Sequence, residues 1–399
     1  MAKALPEVMS SSRSPSSSKQ NYLRLLAIQV EKIYDTFHRF LAWATGRLGK
    51  PMSAEIYHAA QMSGGVMVKG RVLLSRKWRD PLEEDHPVVN FFQMLKRWAT
   101  PERPNSLVRI SLGGKEYDVR ADKEAYFEQF IPKEECLSEE VFIELPESEV
   151  SKPSSHSVFT VGADSTRLII SDIDDTVLVT HAAKTLRMIA TTLFGNALTR
   201  QLFPGSSELY QSLRHGKTEN DEENPITYVT SSPFNLHSLL VLIFDENRLP
   251  TGPFFMTDWG LDVDKWFKRS HSAHKKEAIR TTLDWYPEKP AILIGDSGQH
   301  DTMIYIDMAL EFPDRIDTIL IRDVSGEERR EELQSKIQLI QDSDVMFSFF
   351  ESSYEAAEIL TQRGWISDEQ RRKVQAAVKE SEKSILETLT HAKPHRNPH

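Results

Sequence analysis

The spacing of apolar residues divides the chain into regions of different period. From 21 to 49, Leu23, Leu26, Val30, Ile33, Phe37, Phe40 and Ala44 recur three and four residues apart, which predicts one amphipathic helix. Ahead of it, residues 1–20 are rich in Ser and Pro and hold almost no large apolar side chain, so burial cannot offset their ordering entropy and a disordered tail is expected. Over 54–145 the period shortens to segments of β-branched and aromatic residues at 65–74, 106–112, 115–119, 126–130 and 141–145, broken by Gly, Pro and Asp. Gly113-Gly114 between two of them is a hairpin signal, and a small antiparallel sandwich is predicted. The stretch 146–157, with Pro146, Pro153 and several serines, reads as a linker.

Beyond residue 158 the pattern changes again, to short apolar runs at 167–171, 226–229, 253–256, 291–295, 318–322 and 345–349 separated by helical windows. Apolar runs of this kind, without alternation, belong to parallel strands covered on both faces. The expectation is a Rossmann-like α/β domain over 158–350. Charged, helix-favouring sequence follows over 351–392, and 393–399 is expected to fray.

Composition and charge narrow the function classes. With 399 residues the chain is too long for one ordinary core. A formal net charge of -10 disfavours a surface given over to nucleic acid, which demands a positive footprint. The lone Cys136 removes disulfide frameworks and cysteine-rich zinc sites. The longest strictly apolar run, 239–244, is far too short to span a bilayer, and no secretory signal pattern opens the sequence, so a cytoplasmic location is expected. Residues 1–52 nevertheless carry eight Lys or Arg against three Asp or Glu. Two readings of the helix over 21–49 follow: it packs on its own domain, or it lies on an anionic membrane surface with Trp43 and its Phe residues inserted.

The chemistry concentrates at strand ends. Leu168-Ile169-Ile170-Ser171 delivers Asp172-Ile173-Asp174-Asp175-Thr176, two acids two residues apart on a tight turn, where open α/β sheets bind ligands. Such a pair can face one ligand from different environments, one attacking while the other handles protons. After the next apolar run come Thr230-Ser231-Ser232, hydroxyls and backbone donors suited to phosphoryl oxygens. His274-Lys275-Lys276 then opens a helix, and a lysine there could neutralise a transferring phosphoryl group. Gly295-Asp296-Ser297-Gly298-Gln299-His300-Asp301 supplies two further acids, which with Asp172 would form an all-oxygen site of the kind magnesium prefers. Arg322, at another strand end, either touches substrate or sits in an ion pair, and the ion pair is the leading expectation. No Walker-type Gly-rich loop and no His-Glu-x-x-His occurs.

In this order the segments over 168–324 resemble the haloacid-dehalogenase-like phosphatase superfamily, and 171–177 together with 295–301 is similar to its phosphatidate phosphatase branch of the actin-patch type. The resemblance implies Asp172 as the phosphorylated nucleophile and Asp174 as general acid and base. It implies Thr230, with Ser231, as the phosphate-binding hydroxyl position and Lys275 as the cationic position. It implies Asp296 as a magnesium ligand with Asp172 and the main-chain carbonyl of Asp174, and Asp301 as a second acid of the metal site. Only about fifty residues separate the first two motifs, so a small cap is expected, with Leu186, Ile189, Leu193, Phe194, Leu198 and Leu202 beside Lys184, Arg187 and Arg200 either facing lipid or packing on the sheet. Phosphatidate hydrolysis at a membrane interface is the leading expectation. A soluble phosphomonoesterase and a non-catalytic binding protein using the β-rich domain are the alternatives.

Overall fold

A computed structural model describes residues 52–74, 103–135, 138–148, 153–178, 202–217, 222–257, 271–298, 300–325 and 327–391. The expected tail, N-terminal helix, frayed C-terminus and most of the cap, including the residues of its candidate lipid face other than Leu202, lie outside the described residues. Among the described residues no helix is long and apolar enough to cross a membrane.

The first region builds two antiparallel sheets, β1 (Met52–Met62), β2 (Gly65–Leu74) and β5 (Tyr126–Pro132) in one, and β4 (Lys115–Arg120), β3 (Leu107–Leu112), β6 (Glu140–Glu144) and β7 (Ser154–Ser157) in the other. Alternation makes the core: Val108, Ile110 and Leu112 of β3 and Val141 and Ile143 of β6 point inward against Val66, Val68, Phe127 and Ile131 of the facing sheet. The two-residue Gly113-Gly114 turn has φ of 59° and 83°, a left-handed path that glycine follows without a Cβ penalty. Strand β7 falls inside the stretch read as linker, where polar side chains leave only main-chain pairing to β6 to define it.

The second region is a six-stranded parallel sheet in the order β10 (Phe254–Thr257), β9 (Ile226–Pro233), β8 (Leu168–Asp172), β11 (Ala291–Asp296), β12 (Ile316–Arg322), β13 (Met346–Phe350). Successive strand residues feed opposite cores. Ile169, Ile292, Ile294 and Leu320 pack on one face against α1 (Ser206–His215), α2 (His237–Glu246), α6 (Ser353–Arg363) and α7 (Asp368–His391). Leu168, Ile170, Leu293, Ile319 and Ile321 pack on the other against α3 (His271–Trp285) and α4 (Asp301–Glu311), with Ile337 of α5 (Glu327–Ile337) beside them. The C-terminal helices are therefore part of the sheet's core and not an appendage, since Leu360, Trp365, Val374 and Val378 join the same cluster as Leu209 and Leu213. From β8 the chain winds outward through β9 and β10, then returns to β11 on the other side of β8, so the order reverses between β8 and β11. The carboxyl ends of those two strands flank the crevice in which such sheets bind ligands.

The two regions are joined by more than a tether. The Ser63 amide donates to the Trp285 carbonyl at 2.7 Å, the Tyr286 hydroxyl donates to the Gln61 carbonyl at 2.9 Å, and Phe234 stacks on Tyr57 with ring centroids 4.4 Å apart. His58 is buried in this interface beside Trp285 and Phe255, and its Nδ1 has no hydrogen-bond partner among the described residues. Burial, helped by the charges of Lys69 and His237, pushes its pKa down from 6.5 to about 3. The native state thus keeps His58 neutral while the unfolded chain takes up a proton, so stability is full above pH 6.5 and falls as pH drops through that window. A loss of about 2 kcal/mol between pH 7 and pH 5 is expected, at roughly 1.4 kcal/mol per unit. Unfolding measured across that range should show this acid limb flattened in His58→Phe, and an unchanged limb would remove His58 as its cause.

Candidate active site

The nucleophile candidate sits where the sheet delivers it. All five residues of β8 are buried, and Asp172 at its end is 1% exposed. Ser171 holds the backbone there: its hydroxyl donates to the Asp172 carbonyl at 2.7 Å and lies 2.5 Å from the Tyr210 hydroxyl of α1. The chain then turns back, with the amides of Val177 and Leu178 both donating to the Ile173 carbonyl at 3.0 Å and Asp175 adopting a left-handed φ of 56°. That path turns the Thr176 hydroxyl toward Asp172 Oδ2, 3.3 Å away.

Three other segments close on this turn. Thr230, near the end of β9, donates its hydroxyl to Asp174 Oδ2 at 2.7 Å and accepts from the Ser232 amide at 2.9 Å. Its hydrogen-bonding capacity is directed at the acid, so its first role is to orient Asp174. Ser231 contributes its carbonyl, which accepts from the Thr257 hydroxyl at 2.7 Å, and among the described residues no bond ties its side chain to the carboxylates. From α3, Lys275 donates to Asp172 Oδ1 at 2.6 Å and pairs with Asp301. Its neighbour Lys276 turns outward to Asp307.

The strand β11 brings Asp296, fully buried, whose Oδ1 accepts from the Gly298 amide at 2.7 Å. Asp301 opens α4 immediately behind it and accepts from the Asp296 amide at 3.4 Å. Gly295 makes this approach feasible, because a Cβ there would lie 2.7 Å from Asp301 Oδ2 and 2.7 Å from the Tyr305 ring. Asp172, Asp296 and Asp301 each offer one carboxylate oxygen within 4.8 Å of the others. Three buried oxygen donors converging in this way suit a hard divalent cation. Asp174 is not in that trio, since its carboxyl is turned to Thr230.

Burial and mutual repulsion govern the charges. Desolvation pushes the Asp172 carboxyl well above its ordinary value; Lys275 opposes this, and Asp301, Asp174 and Asp296 add to it. Desolvation likewise raises Asp174, against the Thr230 hydrogen bond that favours its ionised form. Burial works against the Lys275 charge, but Asp172 and Asp301 overcome it and its pKa is raised, so the lysine stays cationic. Four buried acids around one lysine leave an excess of negative potential that a divalent ion would neutralise.

Residues 167–323 match the model of the phosphatidate phosphatase APP1 catalytic domain. The matched segment takes in β8 through β12 and every site residue above. Phosphatidate phosphatase APP1 of Saccharomyces cerevisiae is 32% identical over 158 residues, 40% of this chain and 26% of the relative. An uncharacterized protein of Schizosaccharomyces pombe is 28% identical over 160 residues, 40% of this chain and 25% of the relative. The chain therefore spans about a quarter of the length of the curated relatives it matches. A solved carbohydrate acetylesterase from Xanthomonas citri aligns over 82% of this chain and 73% of that one at 11% identity with a TM-score of 0.32, too weak a likeness to bear on fold or function.

Sequence reasoning had no signal for Ser171 and Tyr210 as supports of the turn, because a hydroxyl pair from a strand and a distant helix leaves no pattern of spacing. The strand-end ion pair expected for Arg322 is replaced by neutral partners. Among the described residues Arg322 makes no ion pair; its guanidinium bonds to the Thr176 and Glu351 carbonyls and lies over the rings of Phe203 and Phe350.

Proposed function

We propose that this protein is a magnesium-dependent phosphatase of haloacid-dehalogenase type, working through an aspartyl-phosphate intermediate and hydrolysing phosphatidate to diacylglycerol and phosphate. The observation that supports it most is the convergence of Asp172, Asp174, Lys275 and Asp296, from segments far apart in sequence, at the edge between β8 and β11. The phosphatidate substrate draws its support from the catalytic-domain match over residues 167–323.

In the first half-reaction an oxygen of Asp172 bonds to phosphorus as the bond to the glycerol oxygen breaks, and Asp174 gives its proton to that oxygen. Burial, by raising the Asp174 pKa, keeps this proton available, and Thr230 points the carboxyl. In the second, ionised Asp174 takes a proton from water, whose oxygen bonds to phosphorus as the Asp172–phosphorus bond breaks. Phosphate leaves and the Asp172 carboxylate is regenerated. Lys275 holds Asp172 Oδ1, so that among the described residues Oδ2 has only the long bond from Thr176 and is the freer oxygen for attack. Asp172, Asp296 and Asp301 would hold magnesium, which when bound neutralises charge on the nucleophile and the phosphoryl oxygens.

Protein stripped of metal by chelation is expected to release phosphate from phosphatidate in mixed micelles only when magnesium is restored, with an equal amount of diacylglycerol formed. Turnover of water-soluble esters in place of phosphatidate would give the site to a soluble phosphomonoesterase. No turnover of either would leave the binding role of the β-rich domain as the surviving reading.

A further inference from the structure

Arg322 ends β12 beside Asp296, yet its side chain meets no carboxylate among the described residues. It is 2% exposed. A guanidinium removed from water without an opposite charge is costly, and an apolar side chain of similar length would fill the space at less cost. Its three bonds go to neutral acceptors: Nε to the Thr176 carbonyl at 3.0 Å, Nη1 to the Glu351 carbonyl at 3.3 Å and Nη2 to the Ser353 hydroxyl at 3.4 Å. The rings of Phe203, 4.0 Å from the guanidinium carbon, and Phe350, 4.7 Å away, cover it on two sides.

The shortest of those bonds falls on the turn that carries the acids. Thr176 closes the run that begins at Asp172, and its own hydroxyl touches Asp172 Oδ2. Past it, Leu178 bridges to Leu202 and the Phe203 amide donates to the Val177 carbonyl, so the outgoing and returning stems of the insertion meet beside the same guanidinium. Asp175 holds a left-handed φ between these anchors, a conformation that a non-glycine residue keeps only when its surroundings impose it. We propose that Arg322 is the positioning residue of the catalytic turn: by fixing the Thr176 carbonyl against β13 and α6 it sets where the Asp172 and Asp174 carboxyls stand relative to each other.

This inference rests on the phosphatase reading for its kinetic arm, and hydrogen exchange supplies an arm that does not. In Arg322→Met, kcat on micellar phosphatidate is expected to fall about 10- to 100-fold, the effect of misplacing a reacting group by around an ångström. KM should stay within about threefold, because the bonds of Arg322 go to Thr176, Glu351 and Ser353 and to none of the residues proposed to hold substrate, and the unfolding midpoint should hold or rise, because a buried charge with no carboxylate partner among the described residues is gone. The amides of Val177 and Leu178 should exchange at least about tenfold faster while those of β11 keep their protection. Arg322→Lys, which can still donate to one carbonyl, should recover part of kcat and of the protection. Wild-type kcat together with unchanged exchange at Val177 and Leu178 would overturn the proposal, and so would a loss of protection spread evenly over the sheet with a lowered midpoint. If the wild type itself turns over no ester, the phosphatase reading has failed, and the exchange arm alone decides for or against Arg322.

Discussion

Asp172→Asn should abolish magnesium-dependent phosphate release from phosphatidate while leaving the fold intact. The substitution keeps the side chain's size and its place at the end of β8, and removes the atom that must bond to phosphorus. Loss of a covalent nucleophile costs on the order of 10⁴-fold or more in turnover, since no neighbouring group can take its place in line. Stability should move little or improve, because Asp172 is buried among Asp174, Asp296 and Asp301 and its charge is held there against repulsion. Phosphate release at saturating magnesium, read beside the thermal unfolding midpoint, checks both halves. Turnover within about tenfold of wild type would mean that Asp172 is not the nucleophile.

Lys275→Met should be the most damaging single change to stability at the site. The ammonium is buried, 2.6 Å from Asp172 Oδ1 and paired with Asp301, so its removal leaves two carboxylates facing each other with neither solvent nor counter-charge. Breaking a buried ion pair from one side costs about 3–5 kcal/mol. The lowered unfolding midpoint should recover in part as magnesium is added, since a divalent ion among Asp172, Asp296 and Asp301 would restore the missing positive charge. A midpoint equal to wild type without metal would show that the lysine is not what holds these acids together.

Much of the architecture could be read in the order of residues because parallel strands are apolar on both faces. Leu168 to Ile170 and Ile292 to Ile294 announce buried strands whatever surrounds them, and the acids at their ends then fall at one edge by topology alone. The β-rich region was legible from its short β-branched and aromatic segments broken by Gly, Pro and Asp, and its strands alternate in burial at Leu107–Leu112 and Glu140–Glu144. What escaped lacks either signature. Strand β1 buries four residues in succession, Tyr57 to Ala60, because a bulge between Ile56 and His58 and the joint with the second region cover both of its faces, so no alternation survives. Strand β7 is Ser-Ser-His-Ser, held by main-chain bonds that any side chain permits. Val374 and Val378 in α7 stand four apart amid charged residues, too sparse to declare that the helix completes a core.

The site divides along the same line. Asp172, Asp174 and Asp296 stood out as acids at or just past strand ends, whereas helix phase left Lys275 open against Lys276 and only the resemblance favoured it; the structure brings the four together. The role of Thr230 as a partner of Asp174 was not, since either of its oxygen's uses, phosphate or carboxylate, fits the same position. Arg322 was misread because a buried guanidinium is ordinarily paired, and no pattern of residues announces a cation satisfied by carbonyls and rings.

The stack of Tyr57 on Phe234 carries a consequence for modularity. Phe234 is the second residue after Ser232, on the stretch that begins at Thr230, and Tyr57 and Tyr126 of the sandwich both press on its ring. The 167–323 segment that looks like a transplantable unit thus leans, at the edge of its reaction centre, on a wall built from the preceding hundred residues. Cut out alone, it would expose Phe234, Phe255 and Trp285 together and lose the surface that keeps its hydroxyl-bearing strand end in place. A stable version of the sheet is therefore expected to need the sandwich beside it.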